Sequence, residues 1–115
     1  MRQPDVRKFL WDADHACELA LRFTEGRTLE DYRSDELLRS AVERQLVTLG
    51  EALNQLARIW PESMQRIPDL RAIVGFRNVL VHGYSVIDDE EVWRVLLVEV
   101  PRLRQQLQAL LSIQP

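Results

Sequence analysis

The sequence predicts an all-α protein, an antiparallel helical bundle of four main helices that forms one domain over residues 1–115. Apolar residues recur every three or four positions along most of the 115 residues, which is the spacing of an amphipathic helix. Residue types that end helices separate these stretches, at Gly26, Pro61 and Gly83. Hydrophobic residues make up 46% of the chain and charged residues 29%, close to the averages for globular domains, so one folded core is expected.

The first predicted helix begins near the amino terminus and ends at a C-cap, Gly26. Residues 27–34 are mostly polar and are interpreted as a connector, with Ser34 as the N-cap of the next helix. The second helix is predicted to be the longest. It runs from Asp35 until Pro61 stops it, because proline cannot continue the backbone hydrogen bonding of a helix.

The third predicted helix begins after Pro68 and ends near Gly83. Residues 79–81 are rich in β-branched side chains and could form a strand. The apolar spacing upstream of them favours a helix.

The fourth predicted helix begins with a capping box, Asp88 and Glu91. It contains Pro101, which removes one backbone donor and crowds the preceding turn. We expect a kink near Leu97 and a helix that continues beyond it.

Composition excludes several classes of protein. The formal net charge is −3 and the sequence pI is about 5.4, so no global positive field attracts nucleic acid, and contact with RNA has to be local. The single cysteine, Cys17, cannot form an internal disulfide, which favours a reducing compartment. No apolar stretch is long enough to cross a membrane and no signal peptide is evident. The chain is therefore expected to be cytoplasmic.

No metal site or cofactor site is predicted. His15 and Cys17 lie about 200° apart around a helix and cannot hold one ion together. Asp12 and Glu18 flank His15 on one helical face, and this face is interpreted as solvated and polar. Zinc, calcium and phosphate-loop motifs are absent from the sequence.

One string carries recognisable chemistry: Arg77-Asn78-x-x-x-His82-x-Tyr84. An Arg followed five positions later by a His is a weak signal, since the composition alone gives roughly 0.24 such pairs by chance. The added Asn and Tyr make the whole string improbable from composition.

This string resembles the motif of the HEPN superfamily, specifically of the HepT-like ribonuclease toxins: Arg, four residues, His, one residue, Tyr. Residues 34–44 and 49–52 are similar to that family's second helix, and residues 96–103 to its last, so the resemblance covers nearly the whole chain. It implies a homodimeric helical bundle and a metal-independent RNA cleavage site. It also implies a nucleotidyltransferase antitoxin, as in a type VII-like toxin–antitoxin pair, that adenylylates Tyr84.

The residue types fit that chemistry. RNA cleavage without a metal uses the substrate's own 2′-hydroxyl, a base, an acid and positive charge beside the phosphorus. His82 can act as base or acid, and Arg77 can offer a two-pronged cation to the phosphate. Asn78, four residues before His82, and Tyr84 are the predicted supporting residues. One histidine serves poorly as acid and base at once, so a second copy across a two-fold axis is useful.

Two other readings stay open. His82 could cap the third helix while Arg77 pairs with Glu51, which would make the motif structural. The chain could instead be a non-catalytic nucleotide-binding or interaction module that partners a nucleotidyltransferase. Arg66 and Arg71 could extend a basic strip toward RNA or could lie on a solvated charged face.

Overall fold

The computed structural model describes residues 3–83 and 87–113, and all regular structure in these ranges is helical. The helices are α1 (Gln3–Thr24), α2 (Leu29–Ser34), α3 (Glu36–Ile59), α4 (Ser63–Arg66), α5 (Leu70–His82), α6 (Asp89–Arg94) and α7 (Val100–Ile113), and a π-helical segment, Val95–Glu99, joins the last two. The predicted all-α class with four long helices is confirmed, because α6, the π segment and α7 form one continuous helix. In the described part of the chain, no helix has the length and apolar character needed to span a membrane.

The interpretation of residues 27–34 as a connector is wrong, because this stretch contains α2. The Thr28 hydroxyl accepts a hydrogen bond from the Asp31 N–H, and the Asp31 carboxylate accepts one from the Thr28 N–H. This capping box starts the helix, and Tyr32 is buried in the core. Ser34 is the last residue of α2. The N-cap of α3 is Asp35, whose carboxylate accepts from the Leu38 N–H at 3.0 Å.

The predicted ends of α3 and α5 are confirmed. The C-cap of α3 is Trp60, directly before Pro61. Gly83 closes α5 with a left-handed backbone, φ 59°, and its N–H donates to the Val79 carbonyl at 3.0 Å. Residues 79–81 are helical, as the upstream apolar spacing indicated.

The last helix continues through Pro101, as predicted, and its distortion is a π turn. The Val100 N–H donates to the carbonyl of Val95, five residues earlier. Proline has no N–H for the next α-helical bond, so a widened turn here costs less than it would elsewhere.

The start of the last helix differs from the expected capping box. Asp88 is the N-cap, but its carboxylate accepts from the Glu90 N–H at 3.0 Å. The Glu91 side chain, expected to complete the box, instead accepts two hydrogen bonds from Arg94, at 2.7 and 3.0 Å.

Helix α3 is the centre of the bundle. It packs against α1 on one side and α5 on the other, and α1 also packs against α7. Leucines from α1, α3 and α7 are fully buried and form the centre of the core: Leu10, Leu46, Leu49, Leu53, Leu56, Leu103 and Leu107.

Helix α5 lies at an edge of this arrangement. Arg102 of α7 donates two hydrogen bonds to Asp69, just before α5, at 2.8 and 2.9 Å. Leu70 and Ile73 are the fully buried side chains of α5. In the later turns Val79 and Val81 are 45% and 48% exposed, so the carboxyl-terminal turns of the helix are open and partly apolar.

Helices α3 and α5 approach each other closely at Gly50. A Cβ atom added to Gly50 would lie 2.3 Å from Cβ of Arg77 and 2.6 Å from its Cγ. These separations are too short for carbon atoms, so the packing of α5 requires a glycine at this position.

We predict opposite effects for two glycine substitutions. Gly50→Ala should lower the free energy of unfolding by about 1–3 kcal/mol, because the added methyl group forces α5 away from α3. Gly75→Ala is the matched control, since a Cβ on this helical glycine meets no atom within 4 Å. It should raise the free energy of unfolding by up to about 1 kcal/mol. Urea unfolding followed by circular dichroism measures both, and equal effects would contradict the close approach at Gly50.

Candidate active site

Arg77 is held by contacts with α3 and with its own neighbour. Its aliphatic stem packs on Gly50, and Nη2 lies 3.5 Å from Oε1 of Glu51. Nη1 donates a hydrogen bond to Oδ1 of Asn78 at 2.8 Å. The interpretation of Glu51 as a partner for Arg77 is confirmed. The side chain of Arg77 is 25% exposed, so the guanidinium is anchored and still accessible.

The guanidinium of Arg77 keeps hydrogen-bonding capacity. Its Nε atom is buried and finds no acceptor among the described residues. A buried donor without an acceptor costs about 1–3 kcal/mol of stability, and such groups call for an explanation. At 3.5 Å the contact with Glu51 is an ion pair longer than a good hydrogen bond. An anion that approaches the guanidinium can therefore compete for it.

His82 is the last residue of α5 and is exposed. It follows Arg77 by five residues, which on a regular helix is about 140° around the axis and about 7.5 Å along it. Arg77 faces α3, whereas His82 is not among the residues that line the cleft beside Arg77. Asn78, predicted to share a face with His82, turns its amide oxygen to Arg77. Arg77 therefore contacts Asn78 and Glu51, whereas His82 lies at the exposed carboxyl end of α5.

Tyr84, the remaining residue of the motif, lies outside the described residues. It follows Gly83, whose left-handed conformation ends α5.

Beside Arg77 the surface forms a cleft of about 490 Å³. Helix α3 forms its floor, with α1 and α5 on either side. The α1 wall carries Trp11, which is 53% exposed, and His15, whose ring stacks on the indole with centroids 4.7 Å apart. The sequence alone does not reveal this cleft, because three helices build it. The available signal was a tryptophan four residues before a histidine on a polar helical face.

The other groups considered for chemistry take structural roles. Among the described residues, no group of three or more His, Cys, Asp or Glu side chains could hold a metal ion. His15 Nδ1 lies 3.5 Å from Glu18, and a hydrogen bond from Arg22 lowers the pKa of Glu18. Burial raises the pKa of Cys17 to about 12, so the thiol stays protonated and is not a nucleophile at neutral pH.

Arg66 and Arg71 are both exposed. They flank the start of α5, and Arg66 is the last residue of α4. Neither residue lines the cleft beside Arg77.

Comparison with known proteins gives one consistent family. A protein of Methanocaldococcus jannaschii named "Putative RNase MJ1380" is 28% identical over 108 residues, which cover 94% of this chain and 98% of that protein. "Putative RNase TTE0752" of Caldanaerobacter subterraneus is 30% identical over 106 residues, covering 92% and 94%. "Probable ribonuclease HepT" of Thermococcus cleftensis is 28% identical over 104 residues, covering 90% and 94%. No solved structure matches the chain significantly. The family model described as "Ribonuclease HepT-like" matches residues 13–110, and the chain belongs to this HepT-like ribonuclease family.

Proposed function

We propose that this protein is a metal-independent endoribonuclease toxin of a type VII-like toxin–antitoxin pair, in which Arg77 and His82 cleave RNA. The observation that carries the proposal is the anchored, accessible guanidinium of Arg77 on the same helix as the exposed His82, in a chain of the HepT-like family. We place the protein in the cytoplasm, because RNA and the nucleotides that the antitoxin uses are both found there.

The reaction uses the substrate's own 2′-hydroxyl. The imidazole of His82 takes the proton of this hydroxyl as the hydroxyl oxygen attacks phosphorus. The bond from phosphorus to the 5′-oxygen then breaks. A proton returns to the 5′-oxygen, so the products are a 2′,3′-cyclic phosphate and a 5′-hydroxyl. Arg77 offers paired N–H donors to the phosphate oxygens as negative charge grows in the transition state. Asn78 and Glu51 position that guanidinium.

A homodimer would supply a second His82 to the same reaction site. The carboxyl-terminal turns of α5 support this arrangement, because Val79 and Val81 are half-exposed there and lie close to His82 in sequence. Burying such apolar side chains between two copies stabilises a two-fold interface. One His82 then acts as the base and the other as the acid.

We predict that Arg77→Met and His82→Ala each lower RNA cleavage at least about 100-fold. Methionine keeps an unbranched stem to pack on Gly50, so the change removes the charge and leaves most of the contact. Cleavage of a fluorogenic RNA oligonucleotide in EDTA measures the effect, with circular dichroism to follow helix content. Arg71→Ala is the matched control, because Arg71 is exposed on the same helix.

Three results would contradict this proposal. Full activity in either variant would remove that residue from the reaction. Activity that disappears in EDTA would show that a metal takes part. Tight nucleotide binding by the wild-type protein without RNA cleavage would favour the non-catalytic nucleotide-binding module.

We predict that inactive subunits suppress active ones. If one reaction site needs His82 from both copies, an equal mixture of wild-type and His82→Ala subunits after exchange should keep about a quarter of the wild-type activity, because only wild-type homodimers cut RNA. Independent sites would keep about half. Light scattering on the same samples checks the dimer, and a monomer or a linear dependence on the wild-type fraction would disprove the shared reaction site.

The proposed regulatory residue is Tyr84. It follows His82 by two residues and comes after the helix-ending Gly83. An adenylyl group on its phenol would place bulk and a negative phosphodiester near the reacting groups. That charge would compete with the substrate phosphate for Arg77, so modification by a nucleotidyltransferase antitoxin would inhibit the nuclease.

We predict that the cognate nucleotidyltransferase modifies Tyr84 and no other tyrosine. Tyr32, the other of the two tyrosines, is fully buried and is an internal control. Mass spectrometry after co-expression should find the adenylyl group on the peptide that contains Tyr84, and none after Tyr84→Phe. A neutralised toxin with an unmodified Tyr84 would show that the antitoxin acts by complex formation.

A further inference from the structure

The cleft beside Arg77 has a use beyond phosphate contact. Its volume of about 490 Å³ lies within the range of about 300–1,000 Å³ typical of small-molecule sites. The proposed function engages Arg77 and its partner Glu51 at one side of it. The α1 wall has no role in that chemistry.

This wall presents a flat aromatic surface. The rings of Trp11 and His15 are stacked at 4.7 Å, with 20° between their planes, and the contact of His15 with Glu18 at 3.5 Å restrains the imidazole. Trp11 is the most exposed of the three tryptophans, since Trp60 is buried and Trp93 is half-buried. An ordered indole at the edge of a cleft is a good stacking partner for a nucleobase.

The carboxylates in the cleft are balanced by cations. Lys8 Nζ lies 3.0 Å from Asp12 Oδ2, and Arg77 Nη2 lies 3.5 Å from Glu51 Oε1. The pairs reduce repulsion of a nucleotide phosphate and leave carboxylate oxygens free to accept further hydrogen bonds. Adenine, cytosine and guanine carry an exocyclic amino group that can donate to such oxygens. Uracil has no amino group, and its one edge donor, N3–H, lies between two carbonyl oxygens that a carboxylate repels.

We propose that the cleft is the base-binding subsite for the nucleotide next to the phosphate held by Arg77. The base stacks on Trp11, and Asp12 and Glu51 accept from its amino group, so amino-bearing bases bind more tightly than uracil. This inference rests on the proposed function for the identity of the substrate. The site itself rests on the geometry of Trp11, His15 and the two carboxylates.

Nucleotide titration tests binding without any need for catalysis. AMP, CMP, GMP and UMP are added separately to the full-length protein while tryptophan fluorescence is recorded. The three amino-bearing nucleotides should quench it saturably, and UMP should bind at least about fivefold more weakly. Trp11→Leu should abolish the quenching. Trp93→Phe, which leaves Trp11 in place, should preserve it.

RNA cleavage provides the second readout. Trp11→Leu should raise KM at least about fivefold, as expected for the loss of one stacked base, with little change in kcat. Trp11→Tyr should restore most of the binding because tyrosine also stacks. Leu37→Ala is the surface control, since Leu37 is 80% exposed and does not line the cleft.

The outcomes separate this inference from the proposed function. Normal RNA cleavage and KM in Trp11→Leu would overturn the base subsite and leave the nuclease intact. Quenching that depends on Trp11, in a protein that cuts no RNA, would support the subsite and overturn the nuclease. Equal binding of UMP would overturn the selectivity. A dimer that becomes monomeric in Trp11→Leu would make Trp11 a contact between copies and overturn the subsite.

Discussion

Gly50 lets α5 approach α3 so closely that the first carbons of the Arg77 side chain occupy the space where a side chain at position 50 would lie. This contact fixes the separation of the two helices and the direction of the arginine stem. The guanidinium then lies beside Glu51, one residue further along α3. The same approach brings Arg77 to the cleft that α1 and α3 form. The packing of α5 on α3 and the position of the Arg77 guanidinium therefore depend on the same contact.

Helical geometry divides the motif between two directions. Arg77 faces inward, where it contacts α3. His82 lies five residues later, about 140° around the helix axis, at the exposed carboxyl end of α5. The arginine is consequently ordered by its own chain, whereas the histidine lies near exposed apolar residues that suit contact with another molecule. This division explains why the homodimer is central to the proposed reaction.

Periodicity and helix-ending residues predicted the long helices, because each depends on local sequence. Helix α2 was missed. The sequence contains its capping box, Thr28 and Asp31, but the polarity of residues 27–34 suggested a connector. At Pro101 the chemistry predicted a disturbed helix, but it did not specify that the disturbance is a π turn. Arg77 was predicted from the motif and Glu51 from its chemistry. The cleft was not, since Trp11, Thr48 and Arg77 are far apart in sequence and meet only in the folded bundle.

The burial along α5 is uneven, and this has a dynamic consequence. Its fully buried side chains, Leu70 and Ile73, lie in the first part of the helix, near the Arg102 contact with Asp69. The turns that carry Arg77 and His82 depend on half-buried side chains, and regions with less buried apolar surface open at lower free energy than the core. The carboxyl-terminal end of α5 should therefore exchange its amide hydrogens before the rest of the bundle unfolds. Any molecule that covers Val79 and Val81 stabilises the closed form and couples local folding to assembly.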